Sequence, residues 1–126
     1  MNAVDTNVLF YAHDPRHPGK RDIATELIAS LYEGVLLWQV ACEYLFASRK
    51  LEPHGYSRSH AVADVKDMRR TWSTAIPNWA TLDRAEQLRA GYRLSFWDAL
   101  LVAACLDAGV TRRGWRTRRL LHHLQG

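Results

Sequence analysis

Three acids stand where an apolar stretch could feed a buried site. They are Asp5 in Val4-Asp5-Thr6-Asn7-Val8-Leu9-Phe10, Glu43 in Val40-Ala41-Cys42-Glu43-Tyr44-Leu45-Phe46, and Asp98 in Ser95-Phe96-Trp97-Asp98-Ala99-Leu100. Carboxylate oxygens are the ligands that Mg2+ and Mn2+ prefer, and such ions keep several of their waters. Acids from separate elements can hold an ion of this kind against a phosphodiester, where it activates water and offsets charge on the attacked and leaving oxygens. That chemistry needs no His or Cys nucleophile. The histidines show no H-E-x-x-H spacing, the adjacent His122 and His123 are a weak metal signal, and Cys42 and Cys105 form no C-x-x-C.

Each acid also has a purely structural explanation. Asp5-Thr6-Asn7 can be a turn whose side chains satisfy backbone groups. Asp98 follows Ser95 by three, so the pair can form a capping box with the acid favoured by the helix dipole. Glu43 shares a polar stripe with Gln39 and Lys50 that can face water. An aspartyl nucleophile for phosphoryl transfer is disfavoured, because Asp5-Thr6-Asn7 offers no second acid nearby for acid–base work.

Positioning the acids is the task of the elements around them. A short apolar strand ending at Asp5 suits the carboxyl edge of a parallel sheet, where open α/β folds bind ligands. Pro15, Pro18 and Gly19 mark a loop. Ile23, Leu27 and Leu31, beside Ala24 and Ile28, predict a helix that stops at Gly34. Residues 35–38 form a short buried strand, residues 39–50 a helix carrying Glu43, and Pro53, His54 and Gly55 its end. Ser57 or Ser59 caps a third helix with Ala61, Val65, Met68 and Trp72 on one face. Residues 75–79 are a connection or edge strand, and Thr81 caps a fourth helix with Leu82, Ala85, Leu88 and Tyr92 inward. Residues 95–106 are apolar nearly all round, which predicts a central buried helix that Ala108-Gly109-Val110 leads into another strand.

The bulk properties bound the classes. A chain of 126 residues fits one domain. No apolar run approaches the roughly 20 residues of a membrane span, so no membrane partner is expected. No basic region precedes a long apolar one at the N-terminus, and two isolated cysteines read as reduced buried thiols, so a cytoplasmic location is expected. The net charge of +4 is uneven: residues 1–111 sum to −1 and the last 15 residues to +5. Basic ends of this kind bind nucleic acid or an acidic partner, or are simply solvated. The five tryptophans could stack on bases. Spacing assigns most of them to core or interface, Trp72 completing an apolar stripe, with Trp115 in the arginine-rich end as the exception.

Val4-Asp5-Thr6-Asn7-Val8-Leu9, Trp38-Gln39-Val40 with Glu43, and Leu94-Ser95-Phe96-Trp97-Asp98-Ala99-Leu100 resemble the three motif blocks of PIN-domain ribonucleases, and most of all those of VapC-type toxins of toxin–antitoxin pairs. The resemblance covers about residues 2–111. It implies a three-layer α/β/α sandwich with a central parallel sheet, Mg2+- or Mn2+-dependent RNA hydrolysis, a homodimer, and inhibition by a cognate antitoxin. It matches Asp5 and Asp98 to metal-binding aspartates and Glu43 to the conserved glutamate, with Thr6 or Asn7 orienting the first acid or its water and Ser95 in support. The departure is at the end, where the family places a fourth acid. Here no acid follows Asp107, and residues 112–126 form an arginine-rich tail in which Arg112, Arg113 and Arg116 could meet RNA phosphates. Asp107 is no substitute, standing nine residues after Asp98 and about 180° out of phase on one helix. Two readings follow: a metal-dependent endoribonuclease, or a catalytically impaired relative that binds antitoxin or RNA.

Overall fold

The structure is a computed structural model and describes residues 2–31 and 33–109. The arginine-rich tail, with Arg112, Arg113 and Arg116, and the strand expected at Val110 lie outside the described residues. In chain order the elements are α1 (Thr6–Tyr11), α2 (Pro18–Ala29), β1 (Val35–Leu37), α3 (Trp38–Ala47), a 3-10 segment (Ser48–His54), α4 (Arg58–Thr71), β2 (Ser73–Ala75), α5 (Trp79–Gly91) and α6 (Phe96–Asp107).

The sheet is parallel, as expected. β1 pairs with β2 in the register Val35↔Ser73, Leu36↔Thr74, Leu37↔Ala75, and a parallel bridge joins Asn2 to Gly34. All three β1 residues are buried. A strand without a solvent-facing side must be covered on both faces, which is how helices flank parallel strands. α3 and α6 pack on β1 and α4 packs on β2. The main core joins Val4, Val8, Leu9, Leu36, Tyr44 and Leu101. Among the described residues no helix is long and apolar enough to cross a membrane.

Several local expectations are corrected. The strand expected to end at Asp5 is reduced to the single bridge at Asn2, and the Asp5 carboxylate accepts from Val8 N–H at 3.0 Å and so caps α1, which takes in Val8-Leu9-Phe10. Ile23 is 65% exposed, while Ala24, Leu27, Ile28 and Leu31 face the core. That set follows i, i+3, i+4, i+7, whereas a series in steps of four drifts by about 40° per step. Asn78, not Thr81, caps α5: its side chain accepts from Thr81 N–H at 3.0 Å, and Thr81 Oγ1 accepts from Asn78 N–H at 3.1 Å. Ser57 is the α4 cap.

The tryptophans divide between the core and the surface. Trp72 packs on the core as its stripe predicts, but Trp38, Trp79 and Trp97 are 52%, 81% and 63% exposed. All three occupy first-turn positions of helices. Helical side chains lean toward the N-terminus, so at the first turn there is no preceding turn for an indole to cover.

Two features make testable predictions. A Cβ added at Gly34 would lie 2.6 Å from Trp72 Cδ1 and 2.8 Å from Leu31 Cδ2. Gly34→Ala is therefore expected to destabilise by about 1–2 kcal/mol through displacement of the indole. Urea unfolding checks this, and a variant as stable as wild type contradicts the contact. Asp14 is fully buried and accepts from Arg16 Nε at 2.9 Å, Nη2 at 3.0 Å and the Arg16 backbone N–H at 3.0 Å. The Arg16 side-chain hydrogen bonds hold its carboxyl down at about 2, against burial, which pushes it up. Stability from a depressed acid is fully present above the unfolded value of about 4 and is lost as pH falls through the folded value. Asp14→Asn should lower Tm by a few degrees at pH 7, with the gap to wild type closing between about pH 4 and pH 2. Melting curves across that range check it; a gap unchanged at pH 2 contradicts it.

Candidate active site

The first acid comes from an extended turn. Asp5 (φ −88°, ψ 173°) is 2% exposed, and its backbone bends directly into α1, so Thr6 is the first helical residue. Thr6 Oγ1 donates to Glu43 Oε2 at 2.8 Å, across 37 residues of sequence. Gln39, one turn earlier on α3, donates from Nε2 to Glu43 Oε1 at 3.0 Å. The same amide nitrogen donates to the Trp97 carbonyl at 3.2 Å, 58 residues away. Trp97 precedes Asp98 in the first turn of α6, where Ser95 Oγ accepts from Asp98 N–H at 3.1 Å. One connected set of hydrogen bonds therefore links the turn of Asp5, the helix of Glu43 and the turn of Asp98.

The arrangement settles the position of each expected residue. Glu43 does not simply face water: it is half-buried and both of its oxygens accept hydrogen bonds. Thr6 orients Glu43 rather than Asp5. Asn7 is exposed on α1 and makes no hydrogen bond with the set. Asp107 turns away, accepting from Thr81 Oγ1 and Arg84 Nη1 of α5 at 2.8 Å each, as its helical phase requires.

Gln39 is the residue that sequence reasoning missed. Its spacing of four from Glu43 was legible, but a Gln–Glu pair on a helix is as compatible with a solvated stripe as with a site. Burial decides between them: Gln39 is 8% exposed, and its Oε1 is buried with no hydrogen-bond partner among the described residues. A buried acceptor left this way asks for a donor such as an ordered water.

The donor set fits one kind of metal ion only. Among the described residues no group of three His, Cys, Asp or Glu side chains converges as a metal cage. A hydrated ion such as Mg2+ needs no cage: one or two carboxylates, water and substrate phosphate suffice. Asp5 and Asp98 are the carboxylates that could take that role, and Glu43 is held by Thr6 and Gln39. Desolvation, and then the Glu43 charge, push the Cys42 thiol up, which disfavours the thiolate that a nucleophile needs. A second titratable group joins His13 of the loop after α1, Tyr44 of α3, Tyr56 of the connection before α4 and Asp64 of α4. His13 stacks on Tyr56 at 4.5 Å, and burial lowers its pKa, so it is neutral at pH 7. His17 stands four residues after His13, but the pair belongs to no three-ligand group among the described residues.

No curated protein matches the chain. The family model described as PIN domain matches residues 3–112, a stretch that holds all three acids and every element described above. With a parallel α/β fold and the three motif blocks joined by one hydrogen-bond set, the chain belongs to the PIN domain family, whose members are in general nucleases and typically use divalent metal ions.

Proposed function

We propose that this protein is a divalent-metal-dependent endoribonuclease, the toxin of a type II toxin–antitoxin pair, acting in the cytoplasm as a homodimer restrained by a cognate antitoxin. The observation that carries this reading is the Thr6–Glu43–Gln39–Trp97 hydrogen-bond set, which ties together the three acid-bearing blocks. Asp5 and Asp98 would hold Mg2+ or Mn2+, which would supply an activated water and offset charge on the phosphate oxygens. Glu43, its carboxylate fixed at both oxygens, orients the attacking water and takes up its proton. Hydrolysis adds the water hydroxyl to phosphorus and returns a proton to the leaving oxygen. Thr6 and Gln39 keep Glu43 in place, and Ser95 caps the turn that presents Asp98. The charges of Arg112, Arg113 and Arg116 supply long-range attraction for RNA.

The test is cleavage of end-labelled single-stranded RNA by the purified chain with Mg2+ or Mn2+ against EDTA. Fragments only with metal, and none from Asp98→Asn, are expected. Cleavage that persists in EDTA overturns the reading. No cleavage with either metal favours a second reading, a catalytically impaired PIN protein that binds antitoxin or RNA. That reading rests on the lack of a three-ligand group among the described residues and the lack of any acid after Asp107.

A further inference from the structure

The nuclease reading leaves unexplained an aromatic and basic surface that begins beside Asp98. Trp97 is 63% exposed although its own carbonyl is bonded to Gln39. Its indole meets the Phe96 ring edge-on, centroids 5.0 Å apart, and the Arg89 guanidinium sits 5.8 Å from the centre of that ring. Arg89 in turn lines a groove of about 580 Å3 at the α5–α6 junction, together with Glu86, Tyr92 and Arg93. Glu86 pairs with Arg89 at 3.2 Å, whereas Arg93 is exposed and has no ion-pair partner among the described residues. On the other side of the Gln39–Trp97 hydrogen bond, Trp38 opens α3 with its ring 52% exposed.

We infer that this surface is the binding track for single-stranded RNA, resting on the nuclease reading for the position of the scissile bond. One base stacks on Trp97 next to the acids, the adjoining phosphate lies in the groove against Arg93 and Arg89, and Trp38 takes a base on the opposite side. The chemistry selects this ligand. An exposed indole has a face open only to an unstacked base, so a duplex does not fit, and every base presents such a face, so stacking here is tolerant of sequence. An arginine without an acidic partner among the described residues, in the α5–α6 connection three residues before the aromatic pair, complements phosphate.

The experiment measures Kd for a labelled oligouridylate by anisotropy in EDTA, so that cleavage plays no part. Trp97→Ala is expected to weaken binding by about 5- to 100-fold. Trp97→Phe should retain most of the affinity, because it keeps an aromatic face. Arg93→Ala should lower the slope of log Kd against log salt by about 0.7. Trp79→Ala, an exposed tryptophan at the opposite end of α5, should leave Kd unchanged. Equal affinity in Trp97→Ala and wild type overturns the track, and so does a Trp97→Ala protein that changes only its oligomeric state, which would make the surface a protein contact. Loss of RNA binding together with intact folding supports it. The two readings fail separately: metal-dependent cleavage that survives Trp97→Ala at wild-type KM sinks the track alone, and Trp97-dependent binding without cleavage sinks the nuclease alone.

Discussion

Asp5→Asn is expected to lower kcat/KM for RNA by at least about 10^2- to 10^3-fold while leaving the fold intact. Asn caps helices as well as Asp, and it keeps an oxygen for the Val8 N–H that Asp5 now satisfies at 3.0 Å. The substitution therefore removes a charge and little else. Replacement by Ala would remove the cap as well, adding about 1 kcal/mol of instability that blurs the result. Single-turnover cleavage and a melting curve on the same preparation separate the two effects. A rate within tenfold of wild type would place the chemistry elsewhere.

The second large effect is expected at Gln39. Gln39→Leu keeps the side-chain volume but removes the amide that donates to Glu43 Oε1 and to the Trp97 carbonyl. Groups that orient reacting or metal-binding side chains lose about 10- to 100-fold in activity when mutated, and that range is expected here. The loss should fall on kcat, because the residue touches Glu43 and not substrate. Thr6→Val removes the other donor to the same carboxylate. Two changes that free one carboxylate are not independent, so the double variant should lose clearly less than the product of the single effects. Multiplicative losses would show that Thr6 and Gln39 do not act through Glu43.

Much of the site was legible because each acid carries its own local signature. An acid after a short apolar stretch and an acid three residues after a serine at a helix start are both local signals; Asp5 caps α1 instead of ending a strand, and Ser95 caps the turn of Asp98. The α/β class followed from the strands expected over residues 35–38 and up to Asp5, separated by helical periodicity. What sequence could not supply was long-range contact. Whether Glu43 faced water or the site depended on Thr6, 37 residues away, and the role of Gln39 on a carbonyl 58 residues away. Composition gave no sign of either. Which tryptophans stay at the surface was not legible for a related reason: apolar size suits core and interface alike, and a first-turn position leaves an indole without a turn to cover.

The central claim is that Asp5 and Asp98 form one ion site. Titration of Mn2+ by calorimetry into the purified protein, free of antitoxin, tests it most directly, with Asp5→Asn and Asp98→Asn measured beside it. A single binding event at millimolar affinity or better, lost in both variants, is the predicted result. Binding that survives in either variant, or no binding to the wild-type protein, would contradict the account.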